Sequence, residues 1–242
     1  MSFNVVIPAR YSSSRLPGKP LIEIAGVPMV IHVARKAKLS GADEIIIATD
    51  DERIVQTVNK YNFKAIMTNS NHISGTDRIH EVVDKMKWSD NTIIVNLQGD
   101  EPLIDPILIR KVTEGMIKNK IDSASAAAVF SNYDDFKNSN NVKVILDQND
   151  YAIYFSRAMI PSQKKFEDNT TINYSYHHIG IYGYTAEFLR KFCKLPKSNL
   201  ESIEGLEQLR AVENNLKIKI FKYQGNQTIG VDTEEDLKKI KF

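Results

Sequence analysis

Arg10, Arg15 and Lys19 stand together in the stretch from Pro8 to Leu21, with the hydroxyls of Tyr11, Ser12, Ser13 and Ser14 between them and with Gly18 beside Lys19. Clustered cations of this kind suit a polyanion. A close charge pair is worth roughly 4 kcal/mol at an effective dielectric of about 20. Arginine forks match phosphate oxygens, and lysine acts as a point charge. Gly18 permits a sharp turn or a close backbone approach, and Pro17 and Pro20 stiffen the segment before any ligand arrives. The stretch is not a Walker A loop, because Pro20 follows Gly18-Lys19 where Ser or Thr is required, and it holds no Gly-x-Gly-x-x-Gly. A solvated basic loop would show the same composition. The position directly after an apolar run, Phe3 to Ile7, favours phosphate binding, because ligands of open α/β sheets sit beyond the carboxyl ends of strands.

Carboxylates close two further apolar runs. Asp100, in Asn96-Leu97-Gln98-Gly99-Asp100-Glu101-Pro102, is a candidate ligand for a hard cation such as Mg²⁺, which takes one or two carboxylates and fills its shell with water and phosphate oxygens. Glu101 is the weaker candidate, because the pleat turns it the other way. A turn carboxylate capping the next helix explains Asp100 equally well. Asp232, in Gly230-Val231-Asp232-Thr233, could share that metal, or Asp232 or Thr233 could cap the last helix, with Glu235 or Asp236 completing a capping box.

Polar groups gather in a third place, Asn69 to Arg78. Ser74, Gly75 and Thr76 suit a nucleotide base or ribose, or a helix cap by Ser74 or Thr76. Arg78 falls in the first helical turn, the unfavourable end for a cation, which points to a ligand contact there. His178 and Tyr182 share one face of a strand by even spacing, while His177 and His178 point to opposite faces and make a poor metal pair. Arg157 and Glu207 carry little information alone, since charges on a helix face or strand end are usually solvated.

Alternating strands and helices must position these groups. Strands are expected at Phe3 to Ile7, Glu44 to Thr49, Ala65 to Met67, Thr92 to Leu97 and Ser123 to Phe130. Helices are expected at Pro28 to Leu39, Glu52 to Tyr61, Asp77 to Lys87 and Pro106 to Lys118. Such alternation predicts an α/β fold with a mostly parallel central sheet and helices on both faces. Beyond residue 131 the pattern changes. Val142 to Leu146 and Tyr151 to Phe155 read as a hairpin, Ser162 to Tyr174 as a polar loop, and His177 to Tyr184 as a strand. Thr185 to Lys191 and Ser202 to Glu213 read as helices, Lys217 to Tyr223 as a strand, and Thr233 to Lys241 as a closing helix. The chain is expected to be one domain, 1–242, with an inserted subdomain at about 131–215.

Composition excludes several classes. The 242 residues are 42% hydrophobic and 26% charged with net charge +2, which is ordinary for a globular protein and gives no footing for nucleic-acid or membrane-surface binding. The one cysteine, Cys193, permits no intrachain disulfide. No apolar run approaches a membrane span of about 20 residues, no secretory segment is visible, and the expected location is the cytoplasm.

Read in order, Ile7-Pro8-Ala9-Arg10-Tyr11, Arg15-Leu16-Pro17-Gly18-Lys19-Pro20-Leu21, Ala48-Thr49-Asp50, Ser74-Gly75-Thr76-Asp77-Arg78, Leu97-Gln98-Gly99-Asp100-Glu101-Pro102, Tyr154-Phe155-Ser156-Arg157, His178-Ile179-Gly180-Ile181-Tyr182, Leu206-Glu207-Gln208-Leu209-Arg210 and Gly230-Val231-Asp232-Thr233 resemble the 3-deoxy-manno-octulosonate (Kdo) cytidylyltransferase, or CMP-Kdo synthetase, family. The ordered set spans essentially the whole chain, and it is the set rather than any one motif that is specific. The resemblance implies a GT-A-like, Rossmann-type nucleotidyltransferase that joins CTP to Kdo and releases diphosphate, in the service of lipopolysaccharide synthesis. It implies Arg10, Arg15 and Lys19 on the triphosphate, and Ser74, Gly75, Thr76 and Arg78 in the nucleotide pocket. It implies Asp100 and Asp232 on Mg²⁺, with Lys19 and both aspartates catalytic. It places Gln98, Arg157, His178, Tyr182 and Glu207 around the sugar, and implies a homodimer joined through the inserted region. Glu234 stands where the family usually has Pro, and Gln163 to Thr171 matches no family motif. A related acidic sugar as substrate, or a non-catalytic nucleotide-binding protein on the same fold, are the alternatives.

Overall fold

The computed structural model describes residues 2–12, 16–162, 169–225, 230–231 and 233–240. In chain order the elements are β1 (Asn4–Pro8), β2 (Glu23–Ile24), β3 (Val27–Pro28), α1 (Met29–Leu39), β4 (Glu44–Thr49), α2 (Glu52–Lys60), β5 (Lys64–Met67), α3 (Gly75–Lys85), β6 (Ile93–Asn96) and α4 (Pro106–Asn119). They continue as β7 (Ser123–Ala128), α5 (Tyr133–Lys137), β8 (Lys143–Leu146), β9 (Ala152–Ser156), β10 (Tyr176–Thr185), α6 (Ala186–Cys193), α7 (Asn199–Glu204), α8 (Leu209–Glu213), β11 (Lys219–Lys222) and α9 (Glu234–Lys239).

Among the described residues the main sheet runs β11-β7-β10-β6-β1-β4-β5. Its strands are parallel except β10, which runs against both β6 and β7. The expected mainly parallel α/β sheet is therefore present. The strands are apolar on both faces because helices cover both. Val5, Ile7, Val95 and Ala126 pack with α1, α2 and α4 through Val30, Ile54, Val58, Leu108 and Val112. Val6, Ile46, Ile94 and Ala127 pack with α3, α6 and α8 through Ile79, Val82, Leu189 and Leu209. Each fully buried Ile or Leu contributes about 1.5–3 kcal/mol.

Within 131–215 the hairpin β8-β9 forms as expected and pairs with the N-terminal end of β10, whose remaining length lies in the middle of the main sheet. The single helix expected from Ser202 to Glu213 is two. Gly205, at φ +63°, ends α7 in the left-handed region, and α8 begins at Leu209. The small β2-β3 hairpin and helix α5 have no counterpart in the sequence expectation, being too short for periodicity to register.

Candidate active site

β1 carries the chain outward through β4 to β5, whereas β6 returns on the other side of β1. The switch point of the sheet therefore lies between the carboxyl ends of β1 and β6, where open α/β sheets hold ligands. The loops leaving those two ends are the ones that carry Arg10, Lys19 and Asp100.

Local chemistry fixes the first loop. Ala9 N donates to Ala48 O at 2.9 Å, which prolongs β1 by one residue before the chain departs. Leu16 is buried against Ile24, Met29 and Val231 and anchors the returning limb. Gly18 N then donates to Tyr11 O at 3.0 Å and closes the loop. Gly18 sits at φ +68°, and a Cβ there would lie 3.2 Å from the Tyr11 ring, so both conformation and space call for glycine. The Arg53 guanidinium lies 3.4 Å from the centre of that ring. Pro20 is buried in a 3₁₀ turn, Lys19–Leu21, that fixes the direction of Lys19.

The β6 loop meets it. A Cβ on Gly99 would stand 3.0 Å from Pro8 O, so the two strand-end loops touch because residue 99 has no side chain. Lys19 Nζ reaches Asp100 Oδ2 at 2.5 Å, with the two side chains 12% and 32% exposed. Val231 N donates to Asp100 O at 2.9 Å, which draws the C-terminal stretch to the same point. Arg15 and Asp232 lie outside the described residues.

Helix α3 supplies the opposite wall. Ser74 is its N-cap: its hydroxyl accepts from Asp77 N at 3.1 Å and donates to Asp77 Oδ2 at 3.0 Å. Gly75 follows, close over the Pro8 ring. Arg78 is 3% exposed and spans the cleft wall, donating to Asp50 Oδ2 at 2.8 Å and to Thr68 Oγ1 at 2.5 Å. Asp50 is thus the partner that makes a cation tolerable in the first turn. The loop before the helix is pinned by Glu81, which accepts from Asn69 N at 2.8 Å, from Lys85 Nζ at 2.8 Å and pairs with His72 Nε2 at 2.5 Å. Burial alone would raise the Glu81 carboxyl, and these donors outweigh it and bring it down to about 2.

The result is a polar cleft of about 350 Å³ lined by Arg10, Lys19, Ser74, Gly75, Arg78, Gln98 and Asp100 among others. Thr76 does not line it. As the second residue of α3 it turns inward, 2% exposed, and donates to Glu207 Oε2 at 2.7 Å.

The residues expected around a sugar divide into neighbouring groups. Gln98 lines the first cleft and donates to Asn96 Oδ1 at 3.1 Å. Arg157 and His178 line a larger adjoining cavity of about 1140 Å³, together with Glu101 and Gly230. Consecutive residues Asp100 and Glu101 thus face different spaces, but through a turn after β6, closed by Glu101 N donating to Gln98 O at 3.2 Å, and not through the pleat of a strand. Tyr182 and Glu207 line a small space behind them. The groups are nonetheless continuous. Tyr182 pairs with Asn96 across β10 and β6, and its ring lies 5.4 Å from that of His178 despite the register shift between Ile179 and Tyr182.

His178 is 8% exposed. Burial, with the neighbouring His177, pushes its imidazole down to about 3, so the ring is neutral at physiological pH. The Ser125 hydroxyl has one proton and sits 2.7 Å from Ile181 O, which leaves it to accept from His178 Nε2 at 2.8 Å. Nδ1 of that ring is then an acceptor, fit to receive a hydroxyl proton from a polyol rather than to donate one. The Glu207 carboxyl is pushed up by burial, and its Oε1 is buried without a hydrogen bond in the described structure, 3.8 Å from Arg210 Nη2.

Sequence reasoning gave no site role to Glu81 or Asn96, and none to Tyr11 or Asp50 beyond their place in the motifs. Each acts through a tertiary contact that no local spacing reveals, although Asp50 at the end of a β-branched run was a signal of position.

Fold and cleft together define an α/β protein with a polar, cation-bearing cleft at the switch point of its sheet. The family model for cytidylyltransferases matches residues 4–218. Similar full-length proteins include 3-deoxy-manno-octulosonate cytidylyltransferases from two strains of Haemophilus influenzae, each 43% identical over all of this chain and 98% of the relative. A solved structure of CMP:2-keto-3-deoxy-manno-octonic acid synthetase complexed with CTP superposes with a TM-score of 0.90 at 40% identity, over 99% of this chain and 96% of that one. A cytidylyltransferase from Leptospira borgpetersenii shares the fold, at a TM-score of 0.61 and 19% identity. The chain belongs to the cytidylyltransferase family, and the Haemophilus influenzae relatives that match its full length are named 3-deoxy-manno-octulosonate cytidylyltransferases.

Proposed function

We propose that the chain transfers the cytidylyl group of CTP to 3-deoxy-manno-octulosonate, forming CMP-Kdo and diphosphate. The observation that carries this reading is the junction of the β1 and β6 loops at the switch point, where Lys19 and Asp100 meet and share a polar cleft of about 350 Å³ with Arg10. Similarity to full-length Kdo cytidylyltransferases supports the sugar.

In this reading the cytosine and ribose lie along Ser74 and Gly75, where the first turn of α3 offers backbone N–H groups at the positive end of an eleven-residue helix. Arg10 and Lys19 neutralise the phosphates, with Lys19 turning from Asp100 to a phosphate oxygen as the nucleotide enters. Arg78, already matched by Asp50, shapes the wall. Arg157 receives the sugar carboxylate, and neutral His178 accepts from a sugar hydroxyl. The anomeric hydroxyl attacks the α-phosphorus in line with departing diphosphate: one O–P bond forms, one breaks, and the hydroxyl proton is lost to solvent or a basic oxygen in the cleft. Positioning and charge neutralisation account for the acceleration, with no covalent enzyme intermediate.

The donor set fits Mg²⁺. Asp100 offers hard carboxylate oxygen inside the phosphate cleft, and Mg²⁺ needs only one or two such ligands beside phosphate and water. Asp100 would hold it, with Asp232 as the second ligand. Bound there, the ion would lower the pKa of the attacking hydroxyl and neutralise charge on the phosphoryl oxygens.

The inserted region, about 131–215, is proposed as the homodimer interface. Its strand β9 pairs with β8 alone among the described strands and exposes Ile153, 54% accessible, on the edge of the sheet. No helix among the described residues is long and apolar enough to cross a membrane. A cytoplasmic location follows from the substrates.

A panel of acidic sugars, incubated with CTP and Mg²⁺ and scored for diphosphate, tests the assignment. Kdo should give the highest kcat/KM. A sialic-acid-like sugar or an 8-amino analogue outrunning it would redirect the specificity, and no diphosphate with any sugar would leave a nucleotide-binding protein without the transfer.

A further inference from the structure

Lys143 is among the largest fully buried side chains of the described structure, at 0% exposure. It stands in β8, in register with Ser156 of β9 on one side and His177 of β10 on the other. An isolated ammonium in such a place is costly unless its N–H groups are matched, and an apolar side chain of the same length would pack there more cheaply. The lysine is matched by backbone. Nζ donates to Asn138 O at 2.7 Å and to Arg157 O at 2.9 Å. Those carbonyls belong to two different walls of the larger cavity, the loop 138–141 and the residue after β9. The walls are tied a second time by Arg157 itself, whose Nη1 donates to Ser139 O at 3.3 Å. Its Nε donates to Glu204 O at 3.0 Å and its N–H to Glu204 Oε2 at 2.9 Å. Burial and the nearby Arg157 guanidinium lower the Lys143 ammonium, and Glu204 opposes them. Three donors on one flexible stem can bridge the Arg157 carbonyl to that of Asn138, which also accepts from Asn141 N at 3.1 Å, and no apolar residue can make that bridge.

We infer that Lys143 is a positioning residue for sugar recognition: its buried ammonium ties the loop 138–141 to the backbone of Arg157 and so sets the guanidinium against the carboxylate of an acidic sugar. The inference rests on the reading of the larger cavity as the sugar site. It predicts an effect confined to the sugar, because Lys143 lines no part of the cleft that holds Arg10, Lys19 and Asp100.

The test is steady-state kinetics of the full chain with CTP, Mg²⁺ and Kdo on Lys143→Met, Arg157→Ala and the double variant. Lys143→Met should raise KM for Kdo roughly ten-fold or more, the loss expected when a hydrogen bond to a charged group is removed, while KM for CTP and kcat stay within about three-fold. In the double variant KM for Kdo should rise no further than in Arg157→Ala alone, because Lys143 acts through Arg157. Lys143→Gln, one bond shorter but still an N–H donor, should recover part of the loss. Equal rises in both KM values, a fall in kcat alone, or additive losses in the double variant would overturn the inference. So would the failure of both Met and Gln variants to fold, which would make Lys143 a requirement of the fold rather than of the site. Were Arg157→Ala itself to leave KM for Kdo unchanged, the assignment of the sugar cavity, not the role of Lys143, would be at fault.

Discussion

Lys19 and Asp100 are 81 residues apart in the chain, and their side chains meet at 2.5 Å across the mouth of the cleft between β1 and β6. The Lys19 and Asp100 side chains are 12% and 32% exposed, so the carboxylate keeps part of its hydration, and pairs that reach solvent contribute only about 0–1 kcal/mol to stability. Its place in the structure is better explained by chemistry than by folding energy.

Asp100→Asn therefore separates the two. The variant should melt within a few degrees of the parent, while diphosphate release from CTP and Kdo falls by at least about a thousand-fold, the scale of losing a charge centre at a reacting phosphate. A differential scanning trace and a coupled diphosphate assay read the two effects.

Gly99→Ala should act without touching any charge. Its Cβ would stand 3.0 Å from Pro8 O, a backbone atom that cannot swing aside, so the two loops must part. Raised KM for CTP is expected, with stability lowered by about 1–3 kcal/mol, as for other overpacked sites. Gly18→Ala should show the same trend through its φ of +68° and the Tyr11 ring.

Arg78 behaves in the opposite way to Asp100. Its side chain is 4% exposed and that of Asp50 13%, so removing one partner strands a buried charge at a cost of about 3–5 kcal/mol. Arg78→Met should be markedly destabilised in urea unfolding. The double variant Arg78→Met with Asp50→Asn should recover part of that loss, and a simple sum of the single losses would show that the two residues act separately.

How much of this was legible in the sequence depends on whether a feature is local. The apolar runs ending at Ile7, Thr49 and Leu97 gave away the strands and their carboxyl ends, since a sheet covered on both faces needs uninterrupted apolar chain. The position of Arg10 and Lys19 after the first strand was legible for the same reason, and both line the cleft there. Ser74 was legible as a cap, but the choice between it and Thr76 was not, and one helical step turned Thr76 from the cleft towards Glu207. The break at Gly205 passed unseen because a single left-handed residue leaves the surrounding apolar spacing intact. That Asp50 pairs with Arg78, and that Lys143 lies beneath Arg157, are tertiary facts that local spacing does not disclose.

His178 carries a pH prediction. Its folded pKa is about 3, below the usual 6.5, so the unfolded chain binds the proton first as pH falls. Stability should accordingly decline from pH 6.5 downward and level off near pH 3 as far as this residue is concerned. Nitrogen-15 spectra of the imidazoles should show His178 neutral and protonated at Nε2 throughout pH 5–8. A ring that titrates near 6.5 would contradict both its burial and its place as an acceptor for a sugar hydroxyl.

A crystal structure with CTP and Mg²⁺ bound tests the central claim most directly. The account predicts the triphosphate at the switch point, with Lys19 Nζ turned from Asp100 to a phosphate oxygen, Arg10 beside it, and Asp100 joined to the nucleotide through the metal. CTP bound elsewhere on the molecule, or bound with the Lys19–Asp100 pair undisturbed, would contradict it.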